Sequence, residues 1–330
     1  MLWVVEVEDL YKVYPGDIRA LNGVSFRVSR GEIYSILGPN GAGKTTTMKI
    51  IATLLKPTSG SVRVSGIDVA SNPSSVRRII GYVPQDLSAD DELTGFENVV
   101  LQARLYGLSK GDAARKAKEL LEMVGLGDAA NRLVRSYSGG MRRRLELAMG
   151  LVNDPELLIL DEPTLGLDVQ SRLALWDYIY RLKREGNLTI LMTTHYMDEA
   201  DRLSDRVAII DRGRIVIEGP PNNLKSRIGG DIIMIKISSV SGDIAGKIAS
   251  VEGVLGVDLV EGNLRIKVRS AEQAMAKLLG VLGSINGQIE GISITKPTLD
   301  QVFIEYTGRM FRDEEPGDFR RQMMVWRRRR

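Results

Sequence analysis

The 330-residue sequence predicts an α/β protein: a parallel sheet covered by helices and interrupted by a mainly helical insert, followed by a small α+β domain. Three observations predict it. Residues 33–55 read as apolar strand, glycine-rich loop and helix; residues 157–211 repeat strand and helix; residues 232–294 run β-α-β-β-α-β. Composition narrows the function. Hydrophobic residues are 43% and charged residues 26%, an ordinary globular balance that excludes disorder, collagen or coiled coil over most of the length. With no cysteine and a single histidine, His195, disulfide scaffolds, thiolate metal sites, cysteine nucleophiles and multi-histidine metal centres are excluded. A net charge of +3 is too small to argue for nucleic acid. No apolar run approaches the roughly 18–20 residues that cross a bilayer, and the start, MLWVVEVED, does not read as a signal peptide. A soluble cytoplasmic chain is expected, with any membrane role supplied by a partner.

Taken in order, Val5 and Val7, then Val24, Phe26 and Val28, fall at every second position and read as half-buried strands. Gly31-Glu32 turns the chain into Ile33–Leu37, an apolar run suited to a buried parallel strand. Gly38-Pro39-Asn40-Gly41-Ala42-Gly43-Lys44-Thr45-Thr46 follows, then Met48, Ile50, Ile51, Leu54 and Leu55 at helical spacing. Gly38-x-x-x-x-Gly43-Lys44-Thr45 is the phosphate-binding loop pattern without a gap. Its glycines let the backbone wrap with N–H groups inward, and the helix N-terminus adds a positive dipole end. Lys44 is suited to neutralise β- and γ-phosphates and the Thr45 hydroxyl to coordinate Mg²⁺.

Residues from about 87 to 150 lack strand alternation and form the helical insert, with Ala113–Val124 its clearest amphipathic helix. Near its end Tyr137-Ser138-Gly139-Gly140 precedes a helix over Met141–Met149. Ser138 is a capping candidate, and the glycines leave N–H groups bare, as a second anion site or an ordinary cap. The Arg142-Arg143-Arg144 run fits the solvated side of that helix no better than a functional run. Strands return at Leu157–Leu160, Thr189–Thr193 and Arg206–Asp211, with a helix around Ser171–Arg184. The first of these ends in Asp161-Glu162. Beside a phosphate loop, Asp161 is suited to hold Mg²⁺ through water and Glu162 to act as general base on the attacking water.

Gly229-Gly230, after Pro220-Pro221, sets the domain boundary, giving 1–228, 229–310 and a basic tail, 311–330. The second domain reads as strand Ile232–Ile237, helix Asp243–Val251, strands Val257–Leu259 and Leu264–Val268 joined through Glu261-Gly262-Asn263, helix Ala271–Leu282 and strand Ile292–Ile294. That order fits a ferredoxin-like module. The tail carries Trp326 and six arginines from Arg320 onward and is expected to be mobile.

Together, residues from about 4 to 225 resemble the ATP-binding subunit of ABC transporters. The resemblance implies the ABC cassette of the P-loop NTPase fold, with ATP and Mg²⁺ as cofactors. Ser138-Gly139-Gly140 resembles the signature motif, which in that family contacts the γ-phosphate held by the opposite subunit. Gln85, in Tyr82-Val83-Pro84-Gln85, resembles the Q-loop glutamine at the metal, linking nucleotide to the transmembrane partner. Leu165-Gly166-Leu167-Asp168 is similar to the D-loop, and His195 after Met192-Thr193-Thr194 falls at the switch histidine. Tyr14 is placed as the adenine-stacking aromatic, with Tyr11 close enough to compete. The commonest signature ends in Gln where this chain has Met141, so the anion contacts rest on Ser138, Gly139 and Gly140.

The closing segment, Thr298-Leu299-Asp300-Gln301-Val302-Phe303 and Tyr306-Thr307-Gly308-Arg309, resembles the extension of drug-resistance-type (ABC-2) exporter ATPases, as does Tyr137 to Arg144. The resemblance implies export of a drug, lipid or polysaccharide through a separate membrane permease, on the cytoplasmic face of the membrane. Two copies of the chain would close on two ATP molecules, Lys44 and Thr45 of one facing Ser138 and Gly140 of the other. Gln85, Thr94 and Glu97 would receive a permease helix, unless Thr94-Gly95-Phe96-Glu97-Asn98 is only a turn and helix start. The second domain is suited to dimerise the subunits, to sense a ligand or to fasten the chain to its partner, with dimerisation slightly preferred. The rival is a soluble ABC-type ATPase acting on nucleic acid or ribosomes, for which only the arginine tail speaks. A GTPase or small-molecule kinase lacks support, since no Asn-Lys-x-Asp motif is present and Ser138 to Gly140 would go unexplained.

Overall fold

Apolar side chains at alternate positions make β1 (Trp3–Tyr14) and β2 (Ile18–Ser29) long strands with one buried face. They pair antiparallel, Val7 opposite Phe26. The computed structural model describes residues 3–186, 188–237, 244–260, 263–283 and 289–308. Every residue of β3 (Ile33–Leu37) is buried. β4 (Ser59–Val64) and the short β5 (Ile67–Asp68) complete a sheet in the order β2-β1-β4-β5.

β6 (Ile80–Val83), β7 (Leu157–Asp161), β8 (Thr189–Thr194), β9 (Arg206–Asp211) and β10 (Arg214–Gly219) join β3 in a second sheet. Its order is β10-β9-β3-β8-β7-β6. All neighbours run parallel except β10, which returns antiparallel to β9. β7 and β8 are buried throughout, as strands covered on both faces must be. Period two sends their side chains into two different cores. Leu157 and Ile159 pack with Val7, Tyr34 and Met48 between the sheets, while Leu158 and Leu160 pack with Leu145, Trp176 and Met192 under the helices.

The helices are α1 (Lys44–Ile51) after β3, α2 (Pro73–Ile79) before β6, and α3 (Gly95–Leu105), α4 (Lys110–Met123) and α5 (Gly139–Gly150) in the insert. α6 (Val169–Gly186) and α7 (Met197–Leu203) flank β8. α4 begins three residues before the expected Ala113, because the Ser109 hydroxyl accepts from the Asp112 N–H at 3.2 Å and caps it there. None of the described helices is long and apolar enough to cross a membrane.

The chain divides into two compact units at Pro220/Pro221. In the second, α8 (Pro221–Arg227) precedes Gly229-Gly230, and β11 (Asp231–Ile237), α9 (Ile244–Ala249), β12 (Val254–Val260), β13 (Asn263–Val268), α10 (Ala271–Gly283), β14 (Ile289–Thr295) and α11 (Leu299–Thr307) follow. The sheet order is β12-β13-β11-β14, antiparallel throughout, the ferredoxin-like arrangement. Ile233, Ile235, Leu264 and Ile266 pack beneath Ala274, Leu278 and Leu282 of α10. Asp243, Glu261-Gly262 and the tail, 311–330, lie outside the described residues.

Candidate functional site

Four neighbouring parallel strands of the second sheet deliver the chemistry at their C-terminal ends, where such sheets bind ligands. β3 leads into the glycine loop, β6 towards Gln85, β7 into Asp161 and Glu162, and β8 into His195. Gly43 holds φ at 108°, and a Cβ there would sit 2.6 Å from the Ala20 carbonyl oxygen. Only glycine satisfies both constraints. The N–H groups of Asn40, Gly41 and Gly43 make no hydrogen bond to a described residue, and α1 starts without a side-chain cap. A row of bare N–H groups at a helix N-terminus is an anion cradle.

Lys44 is 4% exposed and its ammonium donates to the carbonyls of Gly38 at 2.7 Å and Pro39 at 3.2 Å. Its Nζ also lies 3.0 Å from Glu162 Oε1, while Glu162 Oε2 meets His195 Nδ1 at 2.8 Å. Glu162 and His195 are 4% and 8% exposed. Burial pushes the Glu162 carboxyl up, but the His195 hydrogen bond and the Lys44 charge outweigh it and hold it below the usual range. Glu162 is also held at a φ of 50°, the left-handed region that residues other than glycine uncommonly occupy.

Asp161 differs from its neighbour. The hydroxyls of Thr193 and Thr45 donate to its Oδ1 at 2.6 and 3.2 Å, whereas its buried Oδ2 has no partner. Burial therefore raises its pKa despite those two bonds. The Thr193 hydroxyl also accepts from the Glu162 N–H at 2.9 Å, so this threonine, absent from the sequence-derived candidates, holds the Asp161 carboxylate and the Glu162 backbone together.

The two tyrosine candidates have different neighbours. The Tyr14 hydroxyl lies 3.4 Å from the Thr46 hydroxyl on α1, while Tyr11 packs against Gly23 of β2. Gln85 is half-buried, and its amide group makes no hydrogen bond to a described residue. Ser138 caps α5, its hydroxyl accepting from the Met141 N–H at 3.3 Å. Ser138, Gly139 and Gly140 share no hydrogen bond with the phosphate loop. A Cβ on Gly140 would lie 2.6 Å from the Ser171 hydroxyl oxygen, and Ser171 donates from its hydroxyl and N–H to Asp168 at 2.7 and 2.9 Å. Asp168 is thereby held below the usual carboxylate range, first by the Ser171 N–H. Thr94 and Glu97 form a reciprocal cap on α3.

The arginine run departs from a solvated role, since none of the three is exposed. Arg142 donates to Asp91 at 2.6 Å, Arg143 to the carbonyls of Pro84 and Gln85 at 2.8 Å each, and Arg144 to the carbonyl of Val124 at 3.0 Å. These four acceptors lie 20 to 59 residues away, which no local charge pattern reveals.

Residues 21–165 match the family model described as ABC transporter, and residues 219–307 the model described as ATP-binding protein DrrA1-3-like, C-terminal domain. The chain is 43% identical to the daunorubicin/doxorubicin resistance ATP-binding protein DrrA of Streptomyces peucetius, over 92% of each chain. It is 36% identical to the linearmycin resistance ATP-binding protein LnrL of Bacillus subtilis, over 94% of this chain and 100% of the other. It is 37% identical to the Nod factor export ATP-binding protein I of Cupriavidus pinatubonensis, over 94% and 92%. Among solved structures, a dimeric post-hydrolysis ATP-binding cassette bound to ADP and Pi superposes with a TM-score of 0.61 at 30% identity, covering 66% of this chain and 98% of that one.

Proposed function

The chain belongs to the ATP-binding subunits of drug-resistance-type ABC transporters, and from that premise we propose how its residues divide the work of an ATP hydrolase that powers export. The bare N–H groups of Asn40, Gly41 and Gly43 and the Lys44 ammonium bind the phosphates, and Tyr14 stacks on adenine. Thr46 and Asp161 flank Thr45 at the head of α1. The observation that carries the reading is the bridge from Lys44 through Glu162 to His195 at 3.0 and 2.8 Å, within the phosphate loop's reach.

Phosphate oxygens compete with Glu162 for Lys44. As the ammonium turns to the β- and γ-phosphates, Glu162 loses a cation and becomes more basic. Glu162 then takes a proton from water as the water oxygen bonds to the γ-phosphorus and the bridging oxygen leaves with ADP. His195 orients the γ-phosphate, and Gln85 registers its departure.

Mg²⁺ fits the donors present. It favours oxygen ligands, uses one or two carboxylates and keeps phosphate and water for the rest. The Thr45 hydroxyl and Asp161, whose Oδ2 is buried and unpartnered, supply that set with Gln85. No cluster of three His, Asp or Glu able to hold a metal exists among the described residues. When bound, the ion neutralises charge developing between the β- and γ-phosphates.

Each site is completed by a second copy, whose Ser138, Gly139, Gly140 and Asp168 face the first copy's γ-phosphate. The absence of any bond between the signature and the loop within one chain supports this, as does the dimeric neighbour. The permease docks beside Gln85, Thr94 and Glu97, where Leu87, Leu101 and Leu105 are exposed, and holds the subunit at the cytoplasmic face of the membrane. The cargo is a drug, lipid or polysaccharide.

Light-scattering mass with Mg-ATP tests the reading, for the parent and Glu162→Gln, with phosphate release followed in parallel. The expected result is an ATP-dependent dimer that persists in Glu162→Gln while hydrolysis falls by about 100-fold or more. A monomer hydrolysing ATP at full rate would overturn it.

A further inference from the structure

Helix α5 carries the signature at its N-terminus, and its interior is fastened to the segment that carries Gln85. Arg143 and Glu146, 3% and 2% exposed, are the fasteners. The Arg143 guanidinium spans two successive carbonyls, Pro84 and Gln85, at 2.8 Å each. One turn on, the Glu146 carboxylate accepts from the Ser88 N–H at 2.6 Å, the Ser88 hydroxyl at 2.7 Å and the Ala89 N–H at 2.8 Å. Arg142 adds a third tie, to Asp91. Charge-assisted bonds sheltered from water are the strong kind.

The far end of α5 is a close contact of a different sort. A Cβ on Gly81 of β6 would lie 2.0 Å from the Gly150 carbonyl oxygen, so two backbones touch where α5 ends. A helix of 12 residues is about 18 Å long. A rotation of about 10° at the Gly81/Gly150 contact therefore carries Ser138 through about 3 Å, and the strapped segment turns with it.

We propose that Arg143 and Glu146 are positioning residues that make the Gln85 segment and the signature helix one moving unit. Loss of γ-phosphate contact at Gln85 in one site is thereby delivered as displacement of Ser138, which serves the opposite site. The proposal rests on the shared-site reading above and adds the mechanical link within each chain.

The test uses full-length protein in a Glu162→Gln background, comparing Arg143→Lys and Glu146→Gln with the Glu162→Gln parent. Arg143→Lys keeps the charge but loses the two-pronged fork; Glu146→Gln keeps the shape but loses the charge. Monomer affinity for ATP, measured at low protein concentration, is expected to stay within about twofold, because the phosphate loop is untouched. The ATP concentration for half-maximal dimerisation is expected to rise about tenfold or more, the effect of losing a bond worth ~1.4 kcal/mol. Unchanged dimerisation in both variants, with a parent that dimerises, overturns the link and leaves the shared site standing. A parent that does not dimerise overturns the shared site itself. Hydrogen exchange on the Glu162→Gln protein supplies a measurement free of folding effects. Ser88 and Ala89 are expected to change protection on adding ATP together with residues 138–147; a change in the helix alone overturns the proposal.

Discussion

Asp161 and Glu162 are adjacent, both buried, and displaced in opposite directions. Glu162 has two cationic or hydrogen-bonding partners and is held low; Asp161 has one oxygen satisfied and is raised by burial. The consequences for stability have opposite signs. A lowered carboxylate stabilises the fold above the ordinary carboxylate pKa and loses that contribution as pH falls through its own lower value. A raised one is most favourable to the fold when protonated, and costs stability as pH rises through its folded value. Asp161→Asn is therefore expected to raise Tm by a few degrees at pH 7, keeping the Thr45 and Thr193 bonds, while abolishing Mg²⁺-dependent hydrolysis. The Tm gain should vanish below about pH 4, where the unfolded carboxyl is itself protonated; a gain constant across pH would show the effect is not electrostatic. Lys44→Ala acts the other way. It leaves Glu162 buried with His195 alone, so thermal unfolding at pH 7 should come earlier, by about 3 kcal/mol or more of lost stability. ATP binding, followed by a fluorescent analogue, should weaken by at least about 100-fold; normal affinity would remove the loop from the site.

Elements were legible in the sequence where their cause is local. The strand, glycine loop and helix around residues 38–46, the buried strand ending at Asp161 and the Ser138 cap on α5 are each written in neighbouring residues, and each of these elements is present. β4 and β10 were missed because neither buries a regular face: three of the six β4 residues are exposed, and only one of the six β10 residues is fully buried, which dilutes the apolar signal. The role of Arg143 was hidden for a complementary reason. Its partners, Pro84 and Gln85, are 59 and 58 residues away, and an arginine run looks the same whether water or carbonyls receive it. Close backbone approach is equally silent, since Gly81 and Gly150 are unremarkable in sequence yet leave no room for a methyl group between β6 and α5. Gly81→Ala should thus force those elements apart, costing about 3 kcal/mol and lowering Tm by about 10 °C in a scanning calorimeter. Gly280→Ala, where a Cβ meets open space on α10, should be neutral or stabilising by comparison.

At the scale of the whole molecule, the nucleotide residues and the second unit are separable claims. Every residue assigned to ATP falls between Tyr14 and His195, inside the unit that ends at Pro220, and that unit has two cores of its own. The second unit has a third core, beneath α10, and leaves Leu255, Leu259, Ile292 and Ile294 between 38% and 61% exposed. Apolar surface of that kind favours association, and a self-associating appendage would raise the effective concentration of one cassette near another. A chain ending at Pro220 should therefore still fold and bind ATP with the parent affinity, because no phosphate-binding residue is removed. Its ATP-driven dimer should need a higher protein concentration, by about tenfold for a modest contribution of ~1.4 kcal/mol. Sedimentation at a series of protein concentrations, with Glu162→Gln to prevent turnover, reads both quantities at once. An unchanged midpoint would assign the second unit a role other than dimerisation, and lost ATP binding would mean the first unit depends on the second to fold.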